Sequence, residues 1–381
     1  MKQKLMCGID NLDQVKEILT NKRIGLITNP TGVNKSLQST IDILHMEYNL
    51  ACMFSPEHGV RGDLQAGDKV ESYDDPKTNL PVYSLYGHTP HISDEILDTI
   101  DVMIFDIQDV GARFYTYLYT LAYAMEDCAR VGKPLVVLDR PNPIGGAKIE
   151  GTVLDPAFKS FVGRFPIATR YGLTMGEYAQ YINKEQNINA NLHIVKINGY
   201  DRTKYYDETD LVWISPSPNL PTIDSCIAYI GTCLFEGTNV SEGRGTTKPF
   251  ETIGAPWMNA QKVIEMVNGY GLKGFLLRET YFKPTFSKHQ DQLCCGVQIH
   301  IINRDGFEPF KLGVVLVNSI RKLHSEFEFL APLKEGANPF IDLLLGTDSI
   351  RKDNFDPIAF FAEQEEKCKT YQESIQPYLL Y

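Results

Sequence analysis

Between residues 23 and 138 the chain alternates short apolar runs with spans of helical periodicity. The runs are RIGLIT (23–28), LACMF (50–54), DVMIFDI (101–107) and PLVVL (134–138). Each is short and almost continuously apolar, the pattern of a strand covered on both faces. Between them, residues 37–48 place Leu37, Ile41, Leu44 and Tyr48 at helical spacing. Residues 93–100 open on Ser93, a helix-capping residue type, and residues 114–131 put Leu118, Leu121, Ala122, Met125 and Ala129 on one face. Strands separated by crossover helices pair in parallel, so this part reads as an α/β domain with helices on both faces of its sheet.

The 381 residues exceed one ordinary domain. Past Gly151 the texture changes to isolated helices (174–184, 259–268, 309–324) and single strands (192–197, 296–302). The expected division is residues 1–150, an α/β domain carrying the strand-end loops, and residues 151–381, a smaller α+β domain. The second domain holds one dense irregular stretch, FEGTNVSEGRGTTKPFETIGAPW (235–257), with Glu236, Asn239, Glu242, Arg244, Lys248 and Glu251. A loop of that length inside a compact domain is either disordered or functional. Its aromatics and mixed charges favour a loop that closes over the first domain's rim, with residues 215–219 (SPSPN) as a second wall.

Ligands of open parallel sheets bind beyond the carboxyl ends of the strands. Those ends carry Asn29-Pro30-Thr31-Gly32, then Ser55-Pro56-Glu57-His58-Gly59-Val60-Arg61-Gly62. Further on come Asp106, Gln108, Asp109 and Arg113, then Asp139, Arg140 and Asn142. No GxGxxG follows any of these strands and no GxxxxGK[ST] or GxSxG occurs, which argues against dinucleotide, P-loop and serine-hydrolase chemistry. Carboxylates, amides and guanidinium groups together suit a sugar, whose hydroxyls take paired hydrogen bonds and whose anomeric centre needs an acid and a second group. A hard-metal site from His58, Asp106, Asp109 and Asp139 is the competing chemistry. Each residue also has a structural reading: Glu57 as a cap or partner of Arg61, His58 as a satisfied imidazole, Asp106 paired with Arg113 or Arg140, Asp139 as a turn residue.

A net charge of 37 − 48 = −11 repels phosphate backbones, so nucleic acid is not an expected partner. No apolar run reaches 18 residues, so no membrane span is expected. The start, MKQKLMCGIDNL, lacks the apolar region of a secretory signal. The eight cysteines are scattered without a CxxC and are expected to be buried free thiols.

The motifs SPEHGVRGDLQAGD, FDIQDVGARFYTY, LDRPNPIGG and the 235–257 stretch resemble the exo-acting β-N-acetylmuramidases of glycoside hydrolase family 171, long known only as a domain of unknown function. The resemblance runs from about residue 25 to the end. It implies a Rossmann-like domain joined to a smaller one, a site in the cleft between them, and removal of N-acetylmuramic acid from the non-reducing end of peptidoglycan fragments. It implies MurNAc-terminated muropeptides as the partner; no cofactor or metal is expected. Family members are commonly exported, a departure from this chain's start. Carried onto this sequence, it makes Glu57 the leading acid, with His58 tuning it. Glu242 or Asp106 is then the second group, as base, nucleophile or orienter of the acetamido group. The expected substrate-binding residues are Arg61, Gln108, Asp109, Arg113, Asn142, Asn219, Asn239 and Arg244. Arg61, Arg113 and Arg244 are the candidates for reading the lactyl carboxylate, since a guanidinium meets a carboxylate bidentately.

Overall fold

The computed structural model describes residues 2, 4–56, 59–61, 72–85, 90–332 and 334–381. After the short α1 (Lys16–Leu19), the expected alternation follows: β1 (Arg23–Thr28), α2 (Thr40–Glu47), β2 (Asn49–Ser55), β3 (Tyr73–Asp74), β4 (Pro81–Ser84), α3 (Asp94–Leu97), β5 (Val102–Asp106), α4 (Tyr117–Val131) and β6 (Leu135–Leu138). Next come β7 (Glu150–Val153) and β8 (Ala168–Arg170), an antiparallel pair, then α5 (Met175–Glu185) and β9 (Leu192–Val195).

Seven strands form one sheet in the order β3-β4-β2-β1-β5-β6-β9, all parallel except the edge strand β3. β5 and β6 are buried at every position, which is why they read as unbroken apolar runs. One face packs on α4 and α5 (Leu118, Leu121, Met125, Tyr178, Ile182), the other on α2 and the N-terminal segment (Ile41, Leu44, Leu12, Leu19). β9, expected in the second domain, instead pairs with β6, so the first sheet continues past residue 150. The chain between them crosses over through α5, whose first turn is held by a reciprocal cap between Thr174 and Glu177.

The second half contains α6 (Ile223–Thr232), β10 (Thr252–Ala255), α7 (Ala260–Asn268), β11 (Phe275–Phe282), β12 (Cys294–Ile301), α8 (Pro309–Leu323), α9 (Phe340–Leu345) and α10 (Pro357–Ile375). Its sheet is antiparallel, in the order β10-β12-β11. The overall class is therefore α/β with a second, α+β part.

Two features tie the halves together. Val110, Ala112 and Phe114, just beyond β5, are buried in the core of the second half. In return, Cys368, Tyr371 and Ile375 of α10 enter the core of the first sheet. Seven of the eight free cysteines are buried and Cys295 is half-buried. Among the described residues no helix is long and apolar enough to cross a membrane.

Candidate active site in the crevice between β1 and β5

From β1 the chain runs outward to β2 and β4 on one side, while β5, β6 and β9 lie on the other. The strand order thus reverses between β1 and β5, and that is where an open parallel sheet leaves a crevice at its carboxyl end. Thr28 and Asp106, the last residues of the two strands, stand opposite each other.

Both tips are tied down by polar side chains. Asn29 Oδ1 accepts from Thr31 N at 3.0 Å and from Thr31 Oγ1 at 2.5 Å, an Asx-type turn. Thr31 Oγ1 in turn accepts from Gln108 N at 2.9 Å, bridging the strands. A side chain at Gly32 would put its Cβ 2.1 Å from Thr28 Oγ1, so only glycine lets the chain fold back here. Gln108 Nε2 donates to the carbonyls of Asp109 and Pro141, both at 2.8 Å, which fixes the loop after β6. Asp109 Oδ2 accepts from Tyr171 Oη and, at 2.7 Å, from the amide of Gly111, whose φ of 83° suits a residue without a Cβ.

These bonds leave a remainder. Asn29 Nδ2, Gln108 Oε1 and Asp109 Oδ1 are buried without a hydrogen-bond partner among the described residues. They are three of only eleven such side-chain atoms there, and all three belong to residues just beyond the two tips. Each such atom costs about 1–3 kcal/mol, and a cluster of them calls for an explanation. Burial also pushes the Asp109 carboxyl up to about 7.

Asp106 is different. It is fully buried, and its oxygens take a two-pronged bond from Arg140 (2.6 and 2.9 Å) and one from Thr40 at 2.5 Å. Of its two expected structural partners it takes Arg140 and not Arg113. Asp139 accepts from Arg140 N, Gly176 N, Thr174 Oγ1 and Tyr381 Oη, and so anchors the start of α5. Burial pushes its carboxyl up to about 7. The three carboxylates offered to a metal are thus each held by separate donors, and among the described residues no group of three or more His, Cys, Asp or Glu could hold an ion.

Arg113 lies with no exposed surface and donates to the carbonyls of Thr152, Ile167 and Leu344. Burial lowers its pKa to about 10. Asn142 binds Leu173 O and Ile144 N. Asn239 clamps the backbone of Glu326 and Glu328. Both serve loop structure. Asn219 is buried next to a turn closed by Leu220 N on Ser217 O, and the same wall is tied to α4 by Tyr117 Oη on Pro216 O at 3.0 Å.

Glu242 is buried under two cations, Lys288 at 2.8 Å and Arg244 at 3.3 Å. Arg244 also binds Glu236 at 2.8 Å. Phe250, held at a φ of 64°, stacks under Arg244 and edge-on to Tyr229, which in turn meets Tyr115. This aromatic chain links the 235–257 loop to the crevice. That loop is not wholly irregular, since β10 lies within it.

Glu57 and His58 lie outside the described residues. Arg61, close behind them, forms a two-pronged bond with the buried Asp75 (2.6 and 2.8 Å). That bond, with the Thr78 donors, holds the Asp75 carboxyl well below the usual carboxylate range. A depressed carboxyl contributes stability above its unfolded pKa of about 3.9 and loses it as pH falls toward its folded value. Asp75→Asn should therefore melt below wild type at pH 7, with the gap narrowing below about pH 4. Melting curves from pH 7 to pH 3 check this; a gap that does not change with pH refutes it.

Comparison with known proteins adds the decisive observation. The family model described as exo-β-N-acetylmuramidase NamZ, N-terminal, matches residues 24–224, and its C-terminal counterpart matches residues 227–381. The chain belongs to the NamZ family. The peptidoglycan β-N-acetylmuramidase NamZ of Bacillus subtilis (strain 168) is 52% identical over 334 residues, 87% of this chain and 81% of that protein. Crystal structures of two DUF1343 family proteins from Bacteroides fragilis NCTC 9343 share the fold. The first is 36% identical with a TM-score of 0.89 over all of both chains. The second is 30% identical with a TM-score of 0.76 over 99% of each. The two NamZ parts meet just after the start of α6, so the N-terminal part includes β9.

Asn29 and Tyr171 join Gln108 and Asp109 at the crevice without having been singled out as site residues. The only advance signal for Asn29 was its place at a strand tip, because NPTG by itself reads as a turn.

Proposed function

We propose that this chain is an exo-acting glycoside hydrolase that releases N-acetylmuramic acid from the non-reducing end of peptidoglycan fragments. The observation that carries the reading is 52% identity to a peptidoglycan β-N-acetylmuramidase over most of both chains. The chemistry of the β1 and β5 tips agrees with it: buried amide and carboxyl groups without hydrogen-bond partners lie at the carboxyl ends of the strands, where ligands of open parallel sheets bind. In this reading Glu57 protonates the leaving oxygen. Asp106 holds Arg140 and serves the frame of the site. The lactyl carboxylate falls to Arg61 or Arg244, which keep 30% and 22% of their side chains exposed, whereas Arg113 keeps none.

The test is hydrolysis of a chromogenic β-N-acetylmuramide beside the matching β-N-acetylglucosaminide. The expected result is turnover of the muramide alone. No turnover of the muramide, with or without added divalent metal, overturns the reading; tight binding of muropeptides without cleavage would make this a sugar-binding protein.

A further inference from the structure

We propose that Asn29, Gln108 and Asp109 form the seat for the 2-acetamido group of the substrate sugar. The inference rests on the muramidase reading and assigns one part of its site.

The orientation of both amides is fixed by their partners. Thr31 N can only donate, so the Asn29 atom facing it is the oxygen, and the NH2 is the end left open. The carbonyls of Asp109 and Pro141 can only accept, so Gln108 turns its NH2 to them and leaves its oxygen open. The neighbouring strand tips therefore carry one unmatched amide donor and one unmatched amide acceptor, joined through Thr31. An acetamido group presents the complement: a carbonyl that accepts and an N–H that donates. Asp109 Oδ1 adds a third open position, next to Gln108 in sequence and on the same tip.

The other distinctive group of muramic acid does not fit here. A lactyl carboxylate has only acceptors, and the unmatched oxygen of Gln108 would face it unpaired. Hydroxyl groups could meet either open atom singly, but an amide matches donor and acceptor together in one planar unit. Leaving these atoms unmatched costs free energy that the acylated sugar offsets when it binds. A site built in this way rejects the analogue that lacks the matching group.

The experiment compares binding of N-acetylmuramic acid and of muramic acid, its N-deacetylated form, by calorimetry. The wild type and Asn29→Asp are measured. Asp keeps the oxygen that closes the turn with Thr31 and loses the amide donor. The wild type should prefer the N-acetylated sugar by at least ~100-fold, and the variant by less than ~10-fold. If Asn29→Asp does not fold, Asn29→Ser preserves a turn-closing oxygen without the amide and should show the same fall. An unchanged preference in a folded variant overturns the seat while leaving the muramidase reading intact. A wild type that hydrolyses the muramide yet binds both sugars equally also overturns the seat alone. A wild type that neither binds N-acetylmuramic acid nor hydrolyses the muramide overturns both.

Discussion

Glu57→Gln lowers hydrolysis of a β-N-acetylmuramide by about 10²–10⁴-fold while leaving the protein folded; that is the contribution expected of one positioned proton donor. Glutamine matches glutamate in size and can hydrogen bond, but it has no proton to give. Glu57 follows Ser55 and Pro56 at the end of β2, the strand beside β1. The loss should depend on the leaving group. An aryl muramide with an acidic phenol leaves with little protonation, so the variant should keep more activity on it than on a natural disaccharide. A sugar alkoxide needs the proton, and there the loss should be largest. Equal losses on both substrates would point to a role in binding or in the second step. Full activity of Glu57→Gln on the disaccharide would remove Glu57 from the chemistry and leave the reaction class standing. Circular dichroism and melting of the variant separate a chemical loss from a folding loss.

Much of the frame was legible in the sequence, and the reason is burial. Strands β1, β2, β5 and β6 are covered on both faces, so their apolar runs are nearly continuous and cannot be mistaken for surface segments. α6 escaped because it is buried on all sides. Its sequence, IDSCIAYIGT, has no polar face to reveal a helical period. β11 escaped for the opposite reason: it is half exposed, and its alternation breaks at Glu279. At the site, the polar character of the strand tips was legible, including Gln108 and Asp109. What the sequence left open was which polar groups already had partners. Asp106 meets Arg140 across 34 residues and Glu242 meets Lys288 across 46, pairings created by strand order and loop packing. Arg113 looked like a carboxylate reader, yet it binds backbone carbonyls brought together by β7, the turn before β8 and α9. Glycine-rich motifs mark where backbone must approach closely, but they do not reveal which neighbouring side chain is left open to a ligand.

The pairing of Asp106 with Arg140 carries the second large effect. Both groups are buried, with 0% and 3% of their side chains exposed, at the floor of the crevice. Removing one partner strands a charge that cannot reach water, and breaking a buried pair this way costs about 3–5 kcal/mol. Arg140→Met should therefore lower the melting temperature by about 4–6 °C in a protein of this size. Removing both charges is a different matter. The double variant Asp106→Leu with Arg140→Met leaves no stranded charge, and it should recover most of the lost stability. Thr40 would then lose its acceptor, so recovery should stop short of complete. The same series decides what Asp106 does in the reaction. If Asp106 is part of the frame, activity per folded molecule in Asp106→Asn should stay within about tenfold of wild type. A nucleophile or base replaced by its amide should lose more than about a hundredfold, even where the fold is intact. Such a loss, with melting unchanged, would return Asp106 to the chemistry. A loss that follows the melting temperature across the series places Asp106 and Arg140 beneath the site, holding the β1 and β5 tips at the spacing from which Asn29 and Gln108 face the sugar.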